Sequence, residues 1–207
     1  GKKTLHLLLR KLCQIKGIRW IRILYCYPEE IYDELIQVMK EEKKICHYLD
    51  LPIQHCSDRI LKRMGRRTSK AQLVEIITKL RKEIPDIVLR TSLITGFPGE
   101  TEEDHQELME FVDEMEFDRL GVFTYSPEED TPAATMKDQI PEELKEERRD
   151  EIMELQQEIS LDKGNQRIGQ EMLVMIEGKV SGESAYIGRT YMDAPKVDGY
   201  MFVQTGE

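Results

Sequence analysis

Four times along this chain a run rich in Ile, Leu, Val and Tyr gives way to a segment whose apolar positions recur every three or four residues. GIRWIRILYCYP (residues 17–28) reads as a largely buried strand ending at a proline. PEEIYDELIQVMKEEKK follows, with Ile31, Leu35, Val38 and Met39 on one side of a helix. HYLDLPIQ (47–54) leads into TSKAQLVEIITKLRKEIP, where Leu73, Ile76, Ile77 and Leu80 mark a helical face behind a Thr-Ser cap. DIVLRTSLITGFP runs from strand to turn, and TEEDHQELMEFVDEME places Leu108, Phe111, Val112 and Met115 on a single face. DRLGVFTYSP then passes through EEDTPAATMKDQ to a long acidic helix from about Pro141 to Leu161. Repeated strand–helix units dictate parallel strands with helices outside them, because parallel neighbours need a crossover rather than a hairpin. The expected class is α/β.

In such sheets ligands sit at the carboxyl ends of the strands, on the loops that enter the next helix. GFPGE is such a loop. Gly96 and Gly99 can take positive φ or let a ligand approach the backbone, and Pro98 stiffens the turn. Thr101 with Asp104 has the form of a capping box, and Glu102 and Glu103 favour the positive end of the helix, so much of the local acid needs only a structural explanation. Strand alternation puts Leu49, Leu51 and Ile53 toward the helices and Tyr48, Asp50, Pro52 and Gln54 on the opposite face; Leu89 and Leu93 likewise oppose Arg90 and Ser92. Polar groups on that face must be paired or wetted. One reading is an Asp50–Arg90 ion pair. The other is a polar cavity for a zwitterionic or hydroxyl-rich ligand, with Arg90 on its carboxylate. Gln54 and His55 end their strand where a ligand would be, and His55 has no second His or carboxylate at metal spacing.

A formal charge of -10 opposes binding of a phosphate backbone except through a local basic face, and the densest basic run is RILKRMGRR, Arg59 to Arg67. No run approaches the roughly 18 apolar residues of a membrane span. The opening segment is too short and too regularly charged for a signal peptide, so a cytoplasmic location is expected. Cys13, Cys26, Cys46 and Cys56 stand far apart without a CxxC and read as buried free thiols.

YLDLPIQHCSDRILKRMGRR, LRTSLITGFPGETEED, FDRLGVFTYSPEEDTPA and GRTYMDAPKVDG, in this order, resemble the methylthiotransferase family of radical S-adenosylmethionine enzymes. QHCS after the YLDLP strand, LRTS before LITGFPGET, and DAPKVDG in the tail are similar to the branch that modifies an aspartate of a small-subunit ribosomal protein rather than the tRNA-adenosine branch. The resemblance implies a partial (β/α) barrel over residues 1–165 and the start of a small all-β TRAM-like barrel over 166–207. It implies S-adenosylmethionine as cofactor, with Gln54, His55, Arg90, Ser92 and the backbone of Gly96, Phe97, Pro98, Gly99 and Glu100 as the candidate pocket. It also implies two [4Fe-4S] clusters on cysteine motifs that this chain does not contain, so a fragment of a longer enzyme is expected. In the complete enzyme, reductive cleavage of the cofactor would generate a deoxyadenosyl radical that abstracts hydrogen from the substrate, and sulfur would come from the second cluster. The electron donor is unidentified. The implied partner is the ribosomal protein, alone or within the small subunit. Direct RNA binding is not expected to dominate, because the tail, 170–207, carries Lys179, Arg189 and Lys196 against Glu171, Glu177, Glu183, Asp193, Asp198 and Glu207. A tRNA-modifying enzyme and a non-catalytic binding module are the alternatives.

Overall fold

The computed structural model describes residues 2–205. After helix α1 (Leu5–Cys13), strands β1 (Ile21–Ile23), β2 (Ile45–Asp50), β3 (Val88–Thr95) and β4 (Arg119–Thr124) form one parallel sheet in the order β1-β2-β3-β4. The crossovers are α2 (Asp33–Glu41), the pair α3 (Asp58–Arg63) and α4 (Lys70–Glu83), and α5 (Glu102–Met115); α6 (Glu142–Gln166) follows β4. The four expected strand–helix units are therefore present, in α/β form.

The alternation along β2 and β3 divides the sheet as the residue types demand. Leu49, Leu51, Ile53, Leu89 and Leu93 are buried with Leu73, Ile77, Leu80, Leu108, Phe111 and Val112 in one apolar core between sheet and helices. Tyr48, Asp50, Arg90, Ser92 and Ile94 alternate with them and face the other way. Both helix starts read from the sequence are closed by reciprocal capping boxes, Ser69 with Gln72 and Thr101 with Asp104.

Several elements differ from the sequence reading: α2 starts only at Asp33, which leaves Ile31 outside it, and α3 is an added helix before Lys70. GIRWIRILYCYP contributes only Ile21–Ile23 to the sheet, and Tyr25 at φ 58° turns the chain out of extension. β2 begins earlier than expected and stops at Asp50, because Pro52 has no amide to give to the ladder; pairing resumes at the isolated bridge Gln54–Leu93. Helix α6 runs five residues past Leu161, to Gln166, with Arg167 Nη2 bonded to Asp118 Oδ1 at 2.9 Å beyond its end. Of the four thiols, Cys46 and Cys56 are buried while Cys13 and Cys26 are only half-buried.

The tail forms an antiparallel sheet of β5 (Met175–Lys179), β6 (Ala185–Arg189) and β7 (Met201–Gln204). Between β6 and β7 the chain crosses the non-helical face of the parallel sheet. There Met192 and Ala194 bury against Cys46, Tyr48 and Val88, and Arg22 donates to the carbonyls of Thr190 and Tyr191 at 3.3 and 2.8 Å.

Truncating Phe111, which has no exposed surface, to Ala is expected to destabilise the protein by about 3–5 kcal/mol through the cavity it leaves. Removing the Ser69 cap (Ser69→Ala) should cost about 1 kcal/mol. Chemical denaturation of the two variants measures both, and equal losses would contradict this division between core and cap.

Candidate functional site

The carboxyl ends of β2, β3 and β4 surround a cavity of about 630 Å³, inside the range of roughly 300–1,000 Å³ usual for small-molecule sites. Tyr25 and Tyr27 from the loop after β1, Phe97 from the GFPGE turn, and Phe123 and Tyr125 at the end of β4 give it an aromatic wall. Phe97 and Tyr125 meet edge to face at 5.2 Å between centroids. Gln54, Ser92, Thr124 and Ser126 bring uncharged polar groups. Two lining residues, Tyr25 (φ 58°) and Gln54 (φ 72°), hold left-handed backbone that side-chain-bearing residues seldom adopt, a feature that concentrates at functional sites. Gln54 is held there by its neighbours on β3: its amide donates to Ser92 O at 3.0 Å and its carbonyl accepts from Ile94 N at 2.8 Å.

A single ionised side chain enters the wall. Arg66 lies with its guanidinium 5.2 Å from the centre of the Tyr27 ring and donates to Pro52 O at 3.4 Å, and no carboxylate among the described residues pairs with it. Cys26 lines the same space; burial, with a smaller contribution from the nearby Asp50, pushes its thiol up to about 11, so it is protonated at neutral pH.

The residues expected from the sequence fall into three groups. Gln54, Ser92 and Phe97 line the cavity. Arg90 does not: its Nη1 bonds Asp50 Oδ1 at 3.0 Å and its Nε lies 3.5 Å from Asp198 Oδ1. His55, Gly96, Pro98, Gly99 and Glu100 stand behind the wall and build the turn. There the Glu100 carboxylate, with no exposed surface, accepts from the amides of Gly96 and Phe97 at 2.9 and 3.4 Å and from Arg148 Nη1 at 3.0 Å. His55 Nδ1 accepts from the amides of Cys56 and Ser57, both at 3.0 Å, which puts the ring hydrogen on Nε2, 3.6 Å from Glu100 Oε2. Gly96 (φ 70°) can be nothing else, since a Cβ there would collide with the side chain of Lys145; a Cβ at Gly99 (φ 82°) would crowd Arg63. The buried Lys145 Nζ in turn donates to Tyr125 O at 2.9 Å. Lys145 and Arg148 escaped the sequence reading, although two cations three apart in a run of acids were a signal of inward-facing charge. Arg66 was noted only as part of a basic run.

Residues 2–112 match the Radical SAM superfamily, and residues 168–207 match the TRAM domain. The chain belongs to the Radical SAM superfamily. Ribosomal protein uS12 methylthiotransferase RimO of Lachnoclostridium phytofermentans is 68% identical over 205 residues, which are 99% of this chain and 47% of that protein. The protein of the same name from Clostridium perfringens is 56% identical over 204 residues, 99% of this chain and 45% of that one. The chain spans about half the length of the curated relatives it matches. Among solved structures, an archaeal Methanocaldococcus infernus Elp3 lacking its N-terminus superposes with a TM-score of 0.51 at 16% identity, over 66% of this chain and 32% of that one, a likeness of fold.

For a radical SAM protein two groups have to be placed. The cavity suits S-adenosylmethionine: aromatic rings for the adenine, hydroxyl and amide groups for the ribose, and in Arg66 an unpaired cation for the carboxylate. The thiols of this chain do not suit an iron–sulfur cluster, because among the described residues no three His, Cys, Asp or Glu side chains stand together.

The Glu100 carboxyl is held below its ordinary range. Burial works to raise it, and His55, the Gly96 amide and Arg148 outweigh burial. A depressed carboxyl contributes stability that is present above the unfolded pKa of about 4.3 and is lost as pH falls through the folded value. Glu100→Gln should therefore destabilise the protein by about 3–5 kcal/mol at neutral pH, leaving the buried Arg148 with only the exposed Glu102 as its carboxylate partner, and should flatten the loss of stability below about pH 4. Urea unfolding of both proteins from pH 7 to 3 measures this. A parallel pair of curves would exclude the Glu100 clamp.

Proposed function

We propose that this chain forms the later part of the catalytic barrel, residues 1–165, and the first part of the TRAM domain, 166–207, of a methylthiotransferase that acts on ribosomal protein uS12. The observation that carries this reading is the match over nearly the whole chain, at 68% and 56% identity, to two proteins of that name. The cavity supports the cofactor half of it. The acidic tail supports a basic protein as substrate, through charge complementarity. Two [4Fe-4S] clusters belong to the proposal on the strength of the family; their ligands are not among these residues, and no step is drawn through them. A cytoplasmic location belongs to the proposal, since a ribosomal protein is its substrate.

When bound, S-adenosylmethionine supplies the methyl group and the means of hydrogen abstraction. The residues of this chain bind, orient and exclude water. Arg66 takes the carboxylate, and its stacking on Tyr27 sets the direction of the guanidinium. Gln54 and Ser92 face the ribose hydroxyls from adjacent strand ends, and Ile94, Phe97 and Tyr125 close over the adenine. His55, Glu100 and Arg148 touch none of these groups; they fix the turn that carries Phe97. A wall of this kind keeps water from reactive species and leaves the cofactor's own chemistry to proceed.

S-adenosylhomocysteine should bind the chain in calorimetry, and Arg66→Gln should weaken it about tenfold while leaving 5′-methylthioadenosine, which lacks the carboxylate, unchanged. For the substrate, the complete protein containing this chain, with its clusters reconstituted, should add one methylthio group to uS12. Mass spectrometry that finds uS12 unmodified and tRNA adenosine modified would overturn the assignment.

A further inference from the structure

Next to the cavity, on the same face of the sheet, lies a second cluster of buried charge that the proposed binding site does not use. Asp50, Arg90 and Asp198 come from β2, β3 and the tail, and their side chains are 3%, 14% and 3% exposed. Arg90 and Arg119 are register partners on neighbouring strands, an arrangement of like charges that needs carboxylates close by. β2 supplies one, Asp50. The tail supplies two: Asp198 Oδ1 lies 3.5 Å from Arg90 Nε, and Asp193 Oδ1 lies 2.8 Å from Arg119 Nη2. Asp198 is itself fixed, its Oδ2 accepting from the Tyr48 hydroxyl at 2.7 Å and from the Ala194 amide at 2.8 Å.

The cluster reaches the cavity on its other side. Arg90 Nη1 donates to Asp50 Oδ1 at 3.0 Å and to Ser92 Oγ at 3.3 Å. Asp50 Oδ2 accepts from the Tyr25 amide at 3.2 Å, and its carbonyl accepts from Cys26 N at 2.9 Å. Ser92, Tyr25 and Cys26 are all wall residues. Tyr25 is 75% exposed and left-handed, a conformation that its own packing does little to hold.

We propose that Asp198 of the tail is a positioning residue for the cavity, acting through Arg90 and Asp50 on the Tyr25 backbone and the Ser92 hydroxyl. Held between two carboxylates, the guanidinium has one orientation, and that orientation directs Nη1 to Asp50 and Ser92. Asp50 can keep one oxygen on the Tyr25 amide because Arg90 fixes the other. Seating of the tail is thereby a condition for the shape of the wall, and whatever displaces the tail changes the cavity. The inference holds whichever small molecule the cavity takes.

Residue-resolved amide hydrogen exchange on the 207-residue chain tests it, because the Tyr25 amide is bonded to the Asp50 side chain and so reports on Asp50 directly. In Asp198→Asn, which keeps the size and removes the charge, Tyr25 should exchange about tenfold faster while Ile77 and Leu80 in α4 keep their wild-type rates. A Tyr25 rate that is unchanged, or that rises only in step with those of α4, would mean that Asp198 merely cements the tail, and the proposal would fall. If Asp198→Asn does not fold, Tyr48→Phe removes one hydrogen bond from Asp198 without changing any charge. A selective rise at Tyr25 of a few fold then supports the proposal, and no selective rise overturns it.

Discussion

At the carboxyl end of β3 a carboxylate sealed from solvent accepts the amides of Gly96 and Phe97 and faces the guanidinium of Arg148. Neither charge could be buried alone, since an unpaired ion in the interior costs several kcal/mol. Together they fix the turn, the start of α5 and the flank of α6 in one arrangement. Phe97 can line the cavity because the amide on which it hangs is held from behind. The Lys145 side chain fills the space that Gly96 leaves, so helix and turn interlock. The whole upper rim of the sheet depends on this clamp.

Local physics was legible in the sequence. The cap before α4, the capping box at Thr101, the apolar faces of α4 and α5, and the two-sided alternation of β2 and β3 each depend on residues within a few positions of one another, and the sequence discloses them. What the sequence did not disclose depends on distant partners. One reading of Arg90 paired it with Asp50, its register partner, and the other with a ligand carboxylate; the second protein carboxylate, Asp198, lies in the tail, where no periodicity points to it. Arg66 stood in the densest basic run and was weighed as surface charge, whereas its place against Tyr27 singles it out. α6 reads as a long acidic helix, yet it buries Lys145, Arg148 and Gln156, because groups that satisfy them come from other elements. The shortness of β1 goes with the left-handed backbone at Tyr25, which Ile, Trp and Tyr content does not disclose.

The distribution of charge acquires a meaning that net charge concealed. Counted as a whole, the tail is acidic. Two of its aspartates, Asp193 and Asp198, face inward on arginines of the parallel sheet, where they complete a buried network rather than present a surface. The acid left to meet a partner is correspondingly less than the composition implies, the more so because Glu177 is paired with Arg189 within the tail.

The contacts that seat the tail join residues far apart in the chain: Tyr48 and Asp198 are 150 residues apart, and Arg22 and Tyr191 are 169 apart. Contacts of such long range are made late, after the entropy of closing a large loop has been met, and a chain emerging from the ribosome folds from its N-terminus onward. The carboxylates of Asp193 and Asp198 therefore reach Arg119 and Arg90 after the strands that carry these arginines have been synthesised. The segment 190–198 thus brings to the parallel sheet charges whose partners were laid down some seventy or more positions earlier in the chain.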